Sequence, residues 1–215
     1  MTGLGVTATV DQQRAAPHAK GPLVTSGRGL PAVLLTGAPA TGKSTLGRLL
    51  AARLRAALLD QDVATQPLVD VVQGLLGVDD LDDPRLAGVT RAARYEVLAA
   101  LAIDNLSAGV PVVLVAPYTT ERADPHAWAL LRSRLAGAGG APLLVWLSLP
   151  SEEIVRRLRV RGAARDQAKL SGGGAYLRTP GDAAVPSVPH LALPADLPAD
   201  ELVARVLDAF VTPSP

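Results

Sequence analysis

The chain has 215 residues, which is enough for one domain with a substantial hydrophobic core. Its formal net charge of +1 gives no overall attraction to nucleic acid or to anionic membranes, and the absence of cysteine excludes disulfides and thiolate metal sites. No run of eighteen uncharged apolar residues occurs, so we expect no membrane span and a cytoplasmic protein.

The chain divides into an extension and one domain. Residues 1–28 are polar and show no hydrophobic periodicity, which predicts a flexible N-terminal extension. From 29 to 213, short apolar runs typical of buried strands alternate with amphipathic helical patterns. The expected strands fall at 32–36, 56–62, 110–117, 141–150 and 190–193, and the expected helices at 43–56, 82–109, 123–140, 151–162 (with Ser151 as N-cap) and 198–210. This alternation predicts an α/β fold of three layers, with a mostly parallel sheet between helices.

A glycine-bracketed lysine, "GAPATGKST", follows the first strand and opens the first helix. It matches G-x-x-x-x-G-K-[ST], in which the glycines turn backbone amides inward to hold phosphate oxygens. Lys43 would reach the β- and γ-phosphates, and the Ser44 hydroxyl would bind Mg²⁺. An ordinary strand-to-helix turn is the alternative, but only three lysines occur in the chain. We therefore predict a nucleotide triphosphate site formed by Gly37, Ala38, Pro39, Ala40, Thr41, Gly42, Lys43, Ser44 and Thr45.

Two acids, Asp60 and Asp62, end the second predicted strand. Side chains two apart on an extended segment point the same way, so both could face the crevice at the carboxyl ends of the strands. One carboxylate could hold a Mg²⁺-bound water while the other accepts the proton of an attacking hydroxyl. The alternative is a pair of solvated acids at a strand end.

An arginine-rich segment, "RRLRVRGAARDQAKL", follows the fourth predicted strand. Arg157 and Arg161 lie one helical turn apart, and Arg165 comes four residues later. Around a transferring phosphoryl group, such cations would neutralise developing charge. The alternative is a solvated face partly paired with Glu152 and Glu153. The glycines that follow predict a closing lid over about 156–178.

These segments, with "RYEVLAALAIDNLSAGVPVVLVAPYTTER", resemble small P-loop kinases of the AAA_33, zeta-toxin and chloramphenicol-phosphotransferase kind. Shikimate, gluconate and polynucleotide 5′-hydroxyl kinases are more distantly similar. The resemblance spans roughly residues 30–175 and implies an adenylate-kinase-like P-loop fold that uses ATP and Mg²⁺.

The resemblance also implies roles for the acids and arginines. Asp62 would be the catalytic base or a substrate anchor. Asp60 would bind the metal through water and contact the substrate, and it is the next candidate for the base. Arg157 would contact the nucleotide, while Arg161 and Arg165 would act with Lys43 in catalysis. Two departures matter: "VVLVAPY" lacks the acid of a motor ATPase, and no N-K-x-D sequence supports GTP.

The acceptor side should be formed by the long helix and by the segment after the third strand. Arg91 and Arg94 are three residues apart and share a helical face, which could equally be solvated. After the third strand come Tyr118, Thr119, Glu121 and Arg122, of which Arg122 could instead pair with a neighbouring carboxylate. We predict that Arg91, Arg94, Tyr118 and Arg122 bind substrate.

The predicted function is transfer of the γ-phosphoryl group of ATP to a hydroxyl of a small molecule, such as a nucleoside, a sugar or an antibiotic. An antibiotic acceptor would imply a role in resistance. The alternatives are a nucleotide-binding regulatory ATPase and a zeta-toxin-like kinase of a sugar nucleotide. A basic track interleaved with aromatics is missing outside the arginine segment, so we do not expect a nucleic-acid partner. We expect a monomer or a homodimer.

Overall fold

The computed structural model describes residues 29–78, 83–162 and 184–211. The predicted extension, 1–28, and most of the predicted lid lie outside these ranges. The described strands are β1 (Leu30–Gly37), β2 (Ala57–Asp60), β3 (Val112–Val115), β4 (Gly140–Ser148) and β5 (Leu191–Pro194). The described helices are α1 (Lys43–Leu54), α2 (Gln61–Leu76), α3 (Pro84–Ser107), α4 (Pro125–Gly137), α5 (Ser151–Arg161) and α6 (Ala199–Val211).

The five strands form one parallel sheet in the order β2-β3-β1-β4-β5. The central strand, β1, pairs with β3 and β4, so that Ala32 lies opposite Val112 on one side and Pro142 on the other. From β1 the chain continues to β2, at one edge of the sheet. From β3 it passes over β1 to β4, in the opposite direction. The carboxyl ends of β1 and β3 therefore flank the point where the winding direction changes, which is where open α/β sheets bind ligands.

Helices cover both faces of the sheet, because successive side chains of β1 point to opposite faces. Val33 and Leu35 face a cluster that includes α1 and α6, while Leu34 faces a cluster that includes α3 and α4. On the first side the contacts include Leu50, Val206 and Phe210, and on the second they include Leu98, Leu106 and Leu135. These layers confirm the predicted three-layer α/β fold with a parallel sheet.

Two local predictions were wrong. The helix α2 was not predicted, and it contains Pro67, which removes one hydrogen bond of the helix. Val69 packs against Leu86 of α3 and so anchors the buried side of α2, which includes Thr65. The N-cap of α5 is Pro150, and Ser151 is the first helical residue. None of the described helices is both long and apolar enough to cross a bilayer.

Candidate active site

The segment Gly37–Thr45 forms a tight loop between the central strand and α1. Gly37 has φ +136°, and a Cβ atom there would lie 2.4 Å from the backbone oxygen of Leu147 in β4. Gly42 has φ +90° and is the N-cap of α1. Both conformations favour glycine, and the first turn of α1 presents amides that have no partner within the helix. This backbone suits an anion at the helix N-terminus.

The ammonium group of Lys43 lies across this loop. Its Nζ donates hydrogen bonds to the backbone oxygens of Gly37 and Ala38, each at 2.8 Å. The Thr41 hydroxyl also donates to the Ala38 oxygen at 2.8 Å and is buried. The cation therefore lies beside the loop, at the N-terminus of α1, where it could contact a bound phosphate.

The two residues predicted to bind metal are in contact, although they are 16 positions apart in the sequence. The Ser44 hydroxyl donates to Asp60 Oδ2 at 2.7 Å. Asp60 Oδ1 accepts from the backbone N–H of Asp62 at 3.1 Å, which makes Asp60 the N-cap of α2. A hydroxyl and a carboxylate are oxygen ligands of the kind that Mg²⁺ prefers, with waters and phosphates completing its shell. Within the described ranges no group of three or more His, Cys, Asp or Glu could hold a metal alone.

The structure places Asp62 differently from the prediction. It lies in the first turn of α2, so the extended spacing expected for Asp60 and Asp62 is wrong. Arg94 of α3 donates through Nη2 to Asp62 Oδ1 at 2.8 Å and through Nε to the Thr65 hydroxyl at 2.9 Å. The Asp62 side chain is 55% exposed and that of Arg94 25%. Arg94 therefore joins α3 to the carboxylate instead of projecting from a solvated helix face.

The helix α5 packs on the phosphate loop through Ile154 and Leu158, which contact Ala38. Arg157 donates to Glu153 at 2.7 Å, as the alternative of a paired helix face predicts, and Arg156 donates to the same carboxylate. Hydrogen bonds from Arg156 and Arg157 lower the pKa of Glu153 to about 2. Arg161 ends α5 and is exposed, whereas Arg165 lies outside the described residues.

The residues predicted to bind the acceptor lie on α3 and on the segment that follows β3. The Thr36 hydroxyl of β1 donates to the Pro117 oxygen at 2.5 Å. This bond joins the segment after β3 to the strand that precedes the phosphate loop. Arg91 donates to the Thr119 hydroxyl and lies 5.7 Å from the ring centre of Tyr95. The rings of Tyr95 and Tyr118 are 5.8 Å apart. Arg122 is buried, and its backbone oxygen accepts from the Ser187 amide at 2.8 Å.

Residues 33–173 match a family model described as an AAA domain, AAA_33. The chain belongs to the AAA_33 family. No curated protein sequence matches the chain.

Solved structures share the fold of this AAA_33 protein. A provisionally assigned kinase from Chloroflexus aurantiacus J-10-fl is 22% identical, with a TM-score of 0.61, over 85% of this chain and 97% of that one. The APS kinase of Mycobacterium tuberculosis, in complex with AMPPNP and APS, is 22% identical, with a TM-score of 0.54, over 86% and 99%. A gluconokinase from Sinorhizobium meliloti 1021 is 18% identical, with a TM-score of 0.52, over 86% and 93%. These likenesses confirm the predicted P-loop kinase fold.

Besides the predicted residues, the AAA_33 chain holds polar residues near the site that the sequence patterns did not indicate, Gln61 and Thr65. Gln61, between the two acids, is 5% exposed, and its Nε2 has no hydrogen-bond partner in the described part of the chain. Thr65 connects Arg94 to α2. Burial raises the pKa of Glu121 and, together with Tyr95 and Glu121, raises the pKa of Tyr118 well above its usual value. In the sequence, the only indication of a role for Gln61 is its position between Asp60 and Asp62.

Proposed function

We propose that this protein transfers the γ-phosphoryl group of ATP to a hydroxyl of a small molecule. The observation that carries the proposal is the 2.7 Å contact between the Ser44 hydroxyl and Asp60. It joins the phosphate loop to the acid-bearing turn at the start of α2, which a loop that only bound phosphate would not need. The kinase fold of the three solved structures supports the same reaction class.

The loop would bind the triphosphate through its amides and through Lys43. The ammonium would exchange its contacts with the Gly37 and Ala38 oxygens for the β- and γ-phosphates. Ser44 and Asp60 would hold Mg²⁺, which when bound supplies neutralisation of phosphate charge. The positive end of α1 adds to the stabilisation of the anion.

Asp62 would accept the proton of the attacking hydroxyl while the acceptor oxygen bonds to the γ-phosphorus and ADP leaves. Arg94 holds Asp62 Oδ1 at 2.8 Å and so sets the direction of the carboxylate. Arg161 and Arg165 would neutralise charge on the moving phosphoryl group. Arg157 would do so only by leaving Glu153. The use of ATP and the absence of cysteine fit a cytoplasmic enzyme.

The test is nucleotide binding followed by transfer. Calorimetry with Mg²⁺ and ATP should register binding, and a small-molecule extract incubated with the protein and ATP should yield a compound heavier by one phosphoryl group. Lys43→Ala should abolish transfer in a protein that still unfolds cooperatively, because Lys43 supplies charge at the phosphates. Lys20→Ala makes the same change outside the motif and should retain activity.

A fully active Lys43→Ala protein would contradict this mechanism. Nucleotide binding without transfer to any compound of the extract would favour the regulatory ATPase instead. Phosphorylation of a sugar nucleotide, with growth arrest on expression, would favour the zeta-toxin-like alternative.

A further inference from the structure

Three buried polar atoms near the candidate site lack hydrogen-bond partners within the described residues: Gln61 Nε2, Tyr118 Oη and Glu121 Oε2. Buried polar groups are almost always hydrogen-bonded, and each exception calls for an explanation. Gln61 is 5% exposed and Tyr118 2%, so both side chains are largely withdrawn from bulk water. A fourth such atom, Trp146 Nε1, lies on β4.

The first three atoms belong to the carboxyl ends of two neighbouring strands. Gln61 directly follows Asp60, which pairs with Val115, the last residue of β3. Tyr118 comes three residues after Val115, and Glu121 is close enough to contribute to the raised pKa of Tyr118. Gln61 thus begins α2 at the carboxyl end of β2, and Tyr118 and Glu121 follow the carboxyl end of the adjacent strand β3.

Tyr118 is held in an uncommon backbone conformation. Its φ is +46°, in the left-handed region that residues other than glycine rarely adopt. Its ring packs against Tyr95, and the preceding Pro117 accepts a hydrogen bond from Thr36. Residues held in this region often serve binding sites, where the surrounding packing maintains the strain.

The arginines around these atoms interact with other groups of the protein. Arg94 is paired with Asp62 at 2.8 Å. Arg91 is bonded to Thr119, and its charge acts on the Glu121 carboxyl, since it lowers a pKa that burial raises. Arg122, buried in the same segment, also interacts within the protein. Each of these three guanidinium groups is thus engaged by the protein itself, which weakens the attraction for an anionic acceptor.

We propose that Gln61, Tyr118 and Glu121 form the acceptor subsite and that this subsite takes an uncharged molecule with several hydroxyl groups. The proposal rests on the proposed function and narrows its substrate class. The Gln61 amide donates hydrogen bonds, the Tyr118 phenol donates and accepts them, and the Glu121 carboxylate accepts them. Hydroxyl groups of a ligand both donate and accept, so they could pair with all three side chains. A phosphate or carboxylate on the acceptor would instead meet the Glu121 carboxylate and raise the cost of binding.

The first experiment separates acceptors by charge. A small-molecule extract is divided by anion exchange into an unbound fraction and a bound, anionic fraction, and each is incubated with the protein, Mg²⁺ and γ-labelled ATP. Label transferred to compounds of the unbound fraction supports the inference. Label transferred only to the anionic fraction overturns it while leaving the proposed function intact.

Variants then test the three side chains with the labelled compound as the probe. Glu121→Gln and Tyr118→Phe should each raise the KM for this compound about tenfold, the loss of one good hydrogen bond, with the KM for ATP unchanged. Glu96→Gln makes the same change in an exposed pair with Arg134 and should alter neither constant. An unchanged KM for the compound in both test variants overturns the assignment.

A second measurement needs no turnover, so it tests the missing partner of the Tyr118 hydroxyl even if neither fraction is labelled. A buried hydroxyl without a hydrogen-bond partner destabilises the ligand-free protein, so Tyr118→Phe should raise the melting temperature by about 2–4 °C. Tyr95→Phe removes the hydroxyl of the neighbouring half-buried ring and should not raise it. A lower melting temperature for Tyr118→Phe would show a structural hydroxyl and overturn the inference.

Discussion

Asp60 has two roles that can be separated by two substitutions. One carboxylate oxygen accepts from the Ser44 hydroxyl at 2.7 Å, and the other accepts from the Asp62 amide at 3.1 Å as the N-cap of α2. Asparagine keeps the cap but loses the negative charge, whereas alanine loses both. Asp60→Asn and Asp60→Ala should therefore differ in stability but share any defect in metal binding.

The magnitudes follow from these contacts. Loss of an N-cap costs about 1 kcal/mol, which lowers the melting temperature of a domain of this size by about 2–4 °C. Asp60→Ala should show this decrease, and Asp60→Asn only a small part of it. Both should weaken the Mg²⁺-dependent part of ATP binding by about 10–100-fold, the usual effect of removing a group that orients or holds a metal.

The assay is calorimetry with ATP, with and without Mg²⁺, alongside thermal unfolding. The matched control is Asp124→Ala, because Asp124 caps α4 by accepting from the His126 amide at 2.8 Å. It should lower the melting temperature like Asp60→Ala and leave ATP binding unchanged. If Asp60→Asn binds ATP with the wild-type dependence on Mg²⁺, Asp60 serves only as a cap, and the reasoning that carries the proposed function is refuted.

Three further predictions concern other contacts. Asp62→Asn should reduce kcat by about 10²–10⁴. If Arg94 acts through Asp62, Arg94→Met should reduce kcat in the wild-type protein but not in the Asp62→Asn variant. Additive effects of the two substitutions would contradict this coupling. The folded-state pKa of Glu153, about 2, lies below its ordinary value, so its stabilising effect is present above pH 4.5 and is lost as the pH falls towards 2. The melting temperature of Glu153→Gln should therefore fall less than that of the wild type between pH 4.5 and pH 2. Gly37→Ala should unfold at a lower temperature than Gly42→Ala, because a Cβ at Gly37 meets backbone at 2.4 Å while a Cβ at Gly42 meets nothing within 4 Å; equal melting temperatures would argue against this packing.

Some of the site could be predicted because it depends on neighbouring residues. The loop from Gly37 to Ser44 requires positive φ at glycines and a helix immediately after a buried strand, and both are encoded over about ten consecutive positions. The alternation of apolar runs and helical patterns likewise predicted the parallel sheet. The helix α2 was missed because its anchor, Val69 against Leu86, joins positions separated by other segments.

The sequence by itself determined the phosphate loop and the α/β layers, since each depends on local backbone preference and hydrophobic period. Only the tertiary structure decided which charges meet. Strand order brings Ser44 to Asp60, and the packing of α3 on α2 brings Arg94 to Asp62. Burial leaves the Tyr118 hydroxyl without a hydrogen-bond partner among the described residues. These contacts arise between elements far apart in the chain, and no local preference of any one segment specifies them.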